Sequence, residues 1–127
     1  MIDEKEREIW VGKNKVYLSE DNIINIINVG EINEKTAIAI KDAVIKLTTM
    51  VEGNVSTLTD LNKAGKMTPE ARKVFQEFVG QRGYGKAALF GMHPVARVLA
   101  SFFRGMSRKK DMRFFKTKEE ALAWLKE

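Results

Sequence analysis

The sequence contains no cysteine, only one histidine and no long apolar run. Without cysteine the chain can form no disulfide, no Cys-ligated zinc or iron–sulfur centre and no thiol nucleophile. No stretch approaches about 18 uncharged apolar residues, so we expect no membrane-spanning segment. Residues 1–7 are polar and mostly acidic, unlike a secretory signal, and we therefore expect a cytoplasmic protein.

What the sequence does contain is the composition of one globular domain. Its 127 residues are 44% hydrophobic and 31% charged, and domains cluster near about 100–150 residues. A chain of this size buries roughly two-thirds of its unfolded surface, so it needs no metal or disulfide to fold. We predict a single domain over residues 1–127 and assign it no cofactor.

Charge is unevenly distributed along the chain. Residues 1–64 carry 8 Lys and Arg against 11 Asp and Glu, a net charge of −3, whereas residues 65–127 carry 14 against 6, a net charge of +8. Between residues 97 and 118 the only acidic residue is Asp111. This asymmetry suggests an anionic partner for the C-terminal half, and a solvated basic surface is the simpler interpretation.

The N-terminal part of the sequence has the pattern of β-structure followed by a helix. β-Branched and aromatic residues on both sides of a Gly/Asn turn predict a hairpin, and a run of β-branched residues predicts a buried strand after it. Apolar residues at helical spacing then predict a helix, which Asn33 caps if it begins a little late. The predicted bounds are 8–11 and 16–18 for the hairpin, 23–29 for the strand, 31–50 for the helix and 55–60 for a following strand.

The remaining sequence alternates helices with strands. Thr68, Pro69 and Glu70 supply a cap hydroxyl, a proline at the first helical position and an acidic residue, which together mark a helix start. Thr117 and Glu120 form a capping box before the last helix. The predicted elements are a loop over 61–67, helices over 69–79, over 94–107 and after residue 117, and strands over 86–90 and 111–115.

This order of elements predicts an α/β fold. Strands that alternate with helices imply parallel crossovers, with the helices packed against the sheet. We expect a single domain with a mixed, mostly parallel central sheet, an N-terminal antiparallel hairpin and about four helices.

One candidate site follows the strand that ends at Asp60. Ligands of open α/β sheets usually bind at the carboxyl ends of the strands, and Asp60, Asn62, Lys63 and Thr68 all lie in this region. Lys63 could neutralise an anion, and Thr68 could be phosphorylated. The alternative is that Asp60 only accepts hydrogen bonds from loop amides.

A second candidate site begins at His93, the only histidine. A lone histidine without cysteine or a suitably spaced carboxylate makes a poor metal site, so we assign no metal. At a helix N-terminus it could contact an anionic ligand, with Arg97 and Arg104 as further contacts. Phe102 and Phe103 could line an apolar pocket there, although aromatic residues at helical spacing more often belong to the core.

Several motifs together resemble a known family. They are Ala-Ala-Leu-Phe-Gly-Met-His-Pro-Val-Ala-Arg over 87–97, the Phe-Phe pair at 102–103 and Phe-Phe-Lys-Thr-Lys-Glu-Glu-Ala-Leu-Ala-Trp-Leu over 114–125. With them the chain resembles the SpoIIAA-like family, whose STAS-like fold is related to anti-sigma-factor antagonists and, more distantly, to CRAL-TRIO lipid-transfer domains. The resemblance implies a mixed sheet surrounded by helices and a binding or regulatory role.

The resemblance also implies a difference. Anti-sigma-factor antagonists carry a phosphorylatable serine after the strand-end aspartate, at the start of the next helix. Here Asn62, Lys63 and Ala64 occupy that region, so the sequence departs from the family's phosphorylation switch.

Two functional hypotheses follow. The first is a non-catalytic STAS-like module that binds an unknown protein partner, as a monomer or a homodimer. The alternative is a carrier of a small amphipathic or anionic, lipid-like ligand in a pocket beside the helix over 94–107. Binding to nucleic acid is disfavoured because the sequence has no recognised nucleic-acid motif.

Overall fold

The structure is a computed structural model that describes residues 7–79, 84–91, 94, 97–98 and 112–127. These residues form six strands and three bounded helices. The strands are β1 (Glu8–Val11), β2 (Asn14–Leu18), β3 (Ile23–Ile32), β4 (Val55–Met67), β5 (Tyr84–Phe90) and β6 (Met112–Phe115), and the helices are α1 (Glu34–Thr48), α2 (Pro69–Val79) and α3 (Lys118–Leu125). Within the described ranges no helix is both long enough and apolar enough to cross a bilayer.

The six strands form one mixed sheet in the order in which they occur along the chain, β1-β2-β3-β4-β5-β6. Pairing is antiparallel from β1 to β3 and parallel from β3 to β6. The prediction of an α/β fold with an N-terminal antiparallel hairpin is therefore confirmed. The described residues contain three helices with defined bounds, where about four were predicted. Of the helix predicted over 94–107, Pro94, Arg97 and Val98 are helical and the rest lies outside the described residues.

The two faces of the sheet carry different helices. Successive residues of a strand point to opposite faces, and in β5 Leu89 joins the core beneath α1 and α2, whereas Ala88 joins the cluster beneath α3. Helices α1 and α2 also contact each other. The core beneath these two helices has two parts. Val16, Leu47 and Val55 belong to one part, and Ile32 and Leu61 belong to the other.

Strand β4 is longer than the sequence suggested, and the predicted loop over 61–67 is wrong. The strand continues to Met67, paired with β3. Two β-bulges interrupt this pairing, and β4 has one more residue than β3 at each. The buried residues Leu61, Ala64 and Met67 are therefore spaced three apart instead of two. The sequence lacks the alternation of an ordinary strand because the bulges change its period.

The ends of β3 and α1 also differ from the predicted bounds. Strand β3 extends to Ile32, since Ile32 still pairs with Met67. The predicted start of α1 at residue 31 is thus too early, and Asn33 caps the helix by accepting a hydrogen bond at 2.9 Å from the amide of Thr36. At the other end α1 stops at Thr48, two residues before the predicted end.

Candidate functional site

The candidate site lies where β4 continues past β5. Strand β5 ends at Phe90, opposite Asp60, whereas β4 runs on to Met67 with β3 as its described neighbour. Three polar residues of this part of β4, Asn62, Lys63 and Lys66, are exposed. We call them the β4 surface. Because the strand is paired on one side and buries its apolar residues beneath it, the β4 surface is held on a fixed backbone.

Asp60 stands at the beginning of this segment and is half-buried. Its Oδ1 accepts a hydrogen bond of 2.9 Å from the backbone amide of Asn62. This is the amide-capping role that the sequence offered as the alternative to ligand contact. The carboxylate thereby satisfies a backbone group at the first bulge, where ladder pairing is interrupted.

The two lysines of the β4 surface present positive charge to solvent. Neither Lys63 nor Lys66 forms an ion pair with another described residue. They are three residues apart on a bulged strand, which places their Cα atoms less than about 10 Å apart. The pair is thus a small cationic surface of fixed spacing, suited to carboxylates or phosphates of a partner.

Thr68 lies at the far end of β4 and is the N-terminal cap of α2. Its Oγ1 accepts a hydrogen bond of 3.2 Å from the amide of Ala71, and its own amide donates to Ile32 O at 3.0 Å. Strand β3 advances only five residues between the partners of Asp60 and Met67, so the bulged strand places Thr68 roughly 20 Å from Asp60. Asp60 and Thr68, which the sequence analysis assigned to one site, therefore do not form one site. The hydroxyl at the start of α2 is that of Thr68.

The second predicted site is only partly placed. Arg97 is helical and exposed. His93, Phe102, Phe103 and Arg104 lie outside the described residues, so their contribution to a ligand pocket stays a prediction.

Gly65 marks the closest approach of β3 and β4. A Cβ at this position would lie 2.8 Å from the carbonyl carbon of Gly30 and 3.0 Å from the amide nitrogen of Glu31. Both are backbone atoms of a paired strand, which cannot turn aside as a side chain would. Only glycine allows the second bulge to lie this close to β3.

We expect Gly65→Ala to lower the free energy of unfolding by about 1–3 kcal/mol, because the added methyl group forces the two strands apart. Urea denaturation followed by circular dichroism measures this loss. The neighbouring exposed residue supplies the control, since Lys66→Ala should change stability by no more than about 0.5 kcal/mol. Equal, small losses in both variants would contradict the close approach.

A cluster that the sequence analysis missed lies on β1 and β2. The Lys15 ammonium is 3.2 Å from Glu8 Oε2, 5.6 Å from the ring centroid of Trp10 and 4.8 Å from that of Tyr17. Trp10 Nε1 donates to Glu8 Oε1 at 3.3 Å. Hydrogen bonds from Lys15 and then from Trp10 lower the pKa of Glu8. These contacts of Glu8 therefore stabilise the folded state fully above the ordinary pKa of a glutamate, and their contribution disappears as the pH falls through the lowered pKa of Glu8.

One protein-family model matches most of this chain. A family model described as a domain of unknown function, DUF7793, matches residues 17–127. The chain belongs to the DUF7793 family. A search of curated proteins gives no match. The matched range begins at Tyr17, so it includes all of β3 to β6 and the three bounded helices.

Solved structures agree with the fold of this DUF7793 domain. An uncharacterized protein of the DUF3478 family with a SpoIIAA-like fold, from Shewanella loihica PV-4, is similar with a TM-score of 0.65 at 14% identity, over 88% of this chain and 91% of that one. The unphosphorylated form of the anti-sigma factor antagonist SpoIIAA is similar with a TM-score of 0.57 at 14% identity, over 89% and 97%. These likenesses confirm the SpoIIAA-like fold that the resemblance implied.

Asparagines occupy three buried positions in the DUF7793 domain. Asn14 joins two strands, because its Nδ2 donates to Val11 O at 2.9 Å and its Oδ1 accepts from the amide of Val29 at 2.8 Å. Asn25 donates to Ser19 Oγ and Ile23 O. Asn28 is 4% exposed, and its Oδ1 has no hydrogen-bond partner among the described residues. The described residues contain no cluster of His, Cys, Asp or Glu able to hold a metal ion.

Proposed function

We propose that this DUF7793 domain is a non-catalytic regulatory module that binds an acidic surface of a protein partner through the β4 surface. The observation that carries the proposal is the pair of exposed lysines, Lys63 and Lys66, held on a bulged strand at the carboxyl edge of the parallel sheet. Bulges often re-aim side chains next to functional sites. Here they direct polar residues outward while the apolar ones stay in the core.

The structural comparison supports a regulatory role. One protein that shares the fold is named as an anti-sigma factor antagonist, and a SpoIIAA-like fold is consistent with a module of that type. The net charge of +5 favours an acidic partner over a basic one. Asp60 supports a non-catalytic role, because its carboxylate already accepts the Asn62 amide at the bulge.

A protein partner suits the β4 surface better than a small ligand does. Small ligands bind in concave, mostly apolar pockets, whereas Asn62, Lys63 and Lys66 are exposed on a strand. Charged residues on a fixed surface steer encounter with a partner and set its register. The carrier hypothesis depends mainly on His93, Phe102, Phe103 and Arg104, and no described contact favours it.

The proposal predicts that charge reversal of the β4 surface weakens partner binding. Affinity capture from cells that produce the protein, with chemical cross-linking and mass spectrometry, identifies a partner, whose binding to the purified domain is then titrated. Lys63→Glu combined with Lys66→Glu should weaken binding by at least about tenfold, because two attractive charges become repulsive. The weakening should diminish at high salt.

The matched control reverses two exposed lysines of α1. Lys35→Glu combined with Lys46→Glu changes the net charge by the same amount at a different surface and should leave binding within about twofold. Equal effects of the two double variants, or the absence of any partner that cross-links to β4, would refute the proposal. So would native mass spectrometry that finds a small molecule bound to the protein and lost on denaturation, since this is the result that the carrier hypothesis expects.

A further inference from the structure

Strand β1 forms one edge of the sheet, and no described strand pairs with its outer side. Its four residues are Glu-Ile-Trp-Val, and the one charged side chain, Glu8, is already paired with Lys15. The strand has no proline, bulge or lysine, three of the features by which natural sheets protect an edge. Trp10 is 58% exposed, although a tryptophan is the side chain that gains most from burial. The edge has therefore the composition of a strand that pairs with another.

The hairpin determines which backbone groups face outward. Gly12 and Lys13 form a two-residue turn, with Gly12 at a φ of +60°, so Val11 and Asn14 close the hairpin as a hydrogen-bonded pair. Hydrogen-bonded and non-bonded pairs alternate along antiparallel strands. The N–H and C=O groups of Glu8 and Trp10 consequently point away from β2, toward the open side.

We infer that β1 pairs with β1 of a second copy of this chain, in an antiparallel arrangement centred on Ile9, and joins two sheets into one. In this register Glu8 of each copy is opposite Trp10 of the other. These are the residues whose backbone groups point outward, so each such pair exchanges both N–H···O=C bonds. The two-fold axis makes the contact isologous, as in most dimers.

The side chains are complementary in this register. Glu8, Trp10 and Lys15 lie on one face of the hairpin. Glu8 then approaches Trp10 of the second copy, with Lys15 of that copy one strand further, about 10 Å between Cα atoms and within reach of two long side chains. On the other face Ile9, which already packs against the core beneath α1, meets its own copy. Charge is thus paired on one face and apolar surface is buried on the other.

The opposite edge of the sheet is unsuited to the same contact. Strand β6 has Arg113 exposed in the strand and Lys116 directly after it. Antiparallel pairing of β6 with its copy would bring these positive charges together, and basic residues are a common protection of edge strands. Dimerisation through β1 also leaves the β4 surface exposed, because β2 and β3 lie between them.

The test is the mass of the protein in solution and the exchange of one amide hydrogen. Light scattering after size-exclusion chromatography should give twice 14.4 kDa for the natural sequence. The Trp10 amide should exchange slowly with solvent in the dimer and fast after dilution to the monomer, because its N–H points out of the hairpin. A mass of one chain at all concentrations, or exchange at Trp10 that dilution does not alter, would overturn the inference.

Two substitutions at Trp10 separate backbone pairing from side-chain contact. Trp10→Pro removes the outward N–H without removing a bond to β2, and it should weaken dimerisation on the order of 100-fold, since both copies lose a hydrogen bond. Trp10→Val keeps the N–H and should retain a weaker dimer. Circular dichroism confirms that both variants are folded.

The control is Val98→Glu, which places a charge on an exposed apolar residue elsewhere and should leave the dimer intact. A dimer that survives Trp10→Pro unchanged, or one that Val98→Glu dissociates equally, would show a different interface and refute the pairing of β1.

Discussion

Replacing Trp124 by alanine is expected to lower the free energy of unfolding by about 3–5 kcal/mol, the cost of removing a buried tryptophan. Trp124 is only 7% exposed, and its ring lies 5.7 Å from that of Phe115. The Lys86 ammonium and the Arg113 guanidinium lie 5.0 Å and 5.4 Å from its ring centroid. The substitution removes all these contacts, and thermal denaturation with calorimetry measures the loss.

Helix α3 should also detach in this variant. It has only eight residues, and helices shorter than about 12–15 residues are marginal without tertiary contacts. Lys86 Nζ donates to Trp124 O at 2.9 Å, which ties the end of the helix to β5. Trp124→Phe retains an aromatic ring and should lose less than half as much stability. If alanine cost under about 1 kcal/mol, the packing of α3 on the sheet would be refuted.

Leu61→Ala is the second large effect that we expect, with a loss of about 2–5 kcal/mol. Leu61 is 1% exposed in the core between the sheet and helices α1 and α2. Its place in a continuous strand prevents the neighbouring backbone from collapsing into the cavity, so the loss should not fall at the low end. Equilibrium unfolding in urea, with the slope checked against the natural sequence, measures it.

The exposed residue Lys63 gives the comparison for Leu61. Lys63→Ala should change the free energy of unfolding by no more than about 0.5 kcal/mol, as expected for a surface position. A loss of stability that is several-fold larger at Leu61 than at Lys63 indicates a strand with one buried face. Similar, small losses at Leu61 and Lys63 would instead agree with the loop that the sequence pattern indicated.

Local chemistry made part of this fold predictable. Asn33 and Thr117 cap α1 and α3 through hydrogen bonds to residues three positions later, and short-range contacts of this kind are visible in sequence. The hairpin was equally visible, because Gly12 separates two β-rich runs. What the sequence could not show was the register between β3 and β4, which depends on residues more than 30 positions apart.

The candidate site was harder to predict for the same reason. Whether Asp60 and Thr68 share a site depends on whether the segment between them is compact or extended, and the bulged strand makes it extended. Predicting the cluster around Trp10 depends on the length of the hairpin turn. The predicted strand bounds leave residues 12–15 as the turn, whereas the turn consists of Gly12 and Lys13 alone. With a two-residue turn, Lys15 lies opposite Trp10 on the neighbouring strand.

The order of the strands has a consequence for the way the chain folds during its synthesis. Each described strand after β1 pairs with the described strand made before it, so none of these six strands has to enter between two that are already paired. The sheet can grow at one edge as the chain leaves the ribosome, N-terminal residues first. One face closes early, as α1 and α2 follow β3 and β4. The other face, with Ile23 and Leu58, lacks the ring of Trp124 until α3 has been made. A nascent chain therefore exposes part of this apolar surface until α3 emerges from the ribosome.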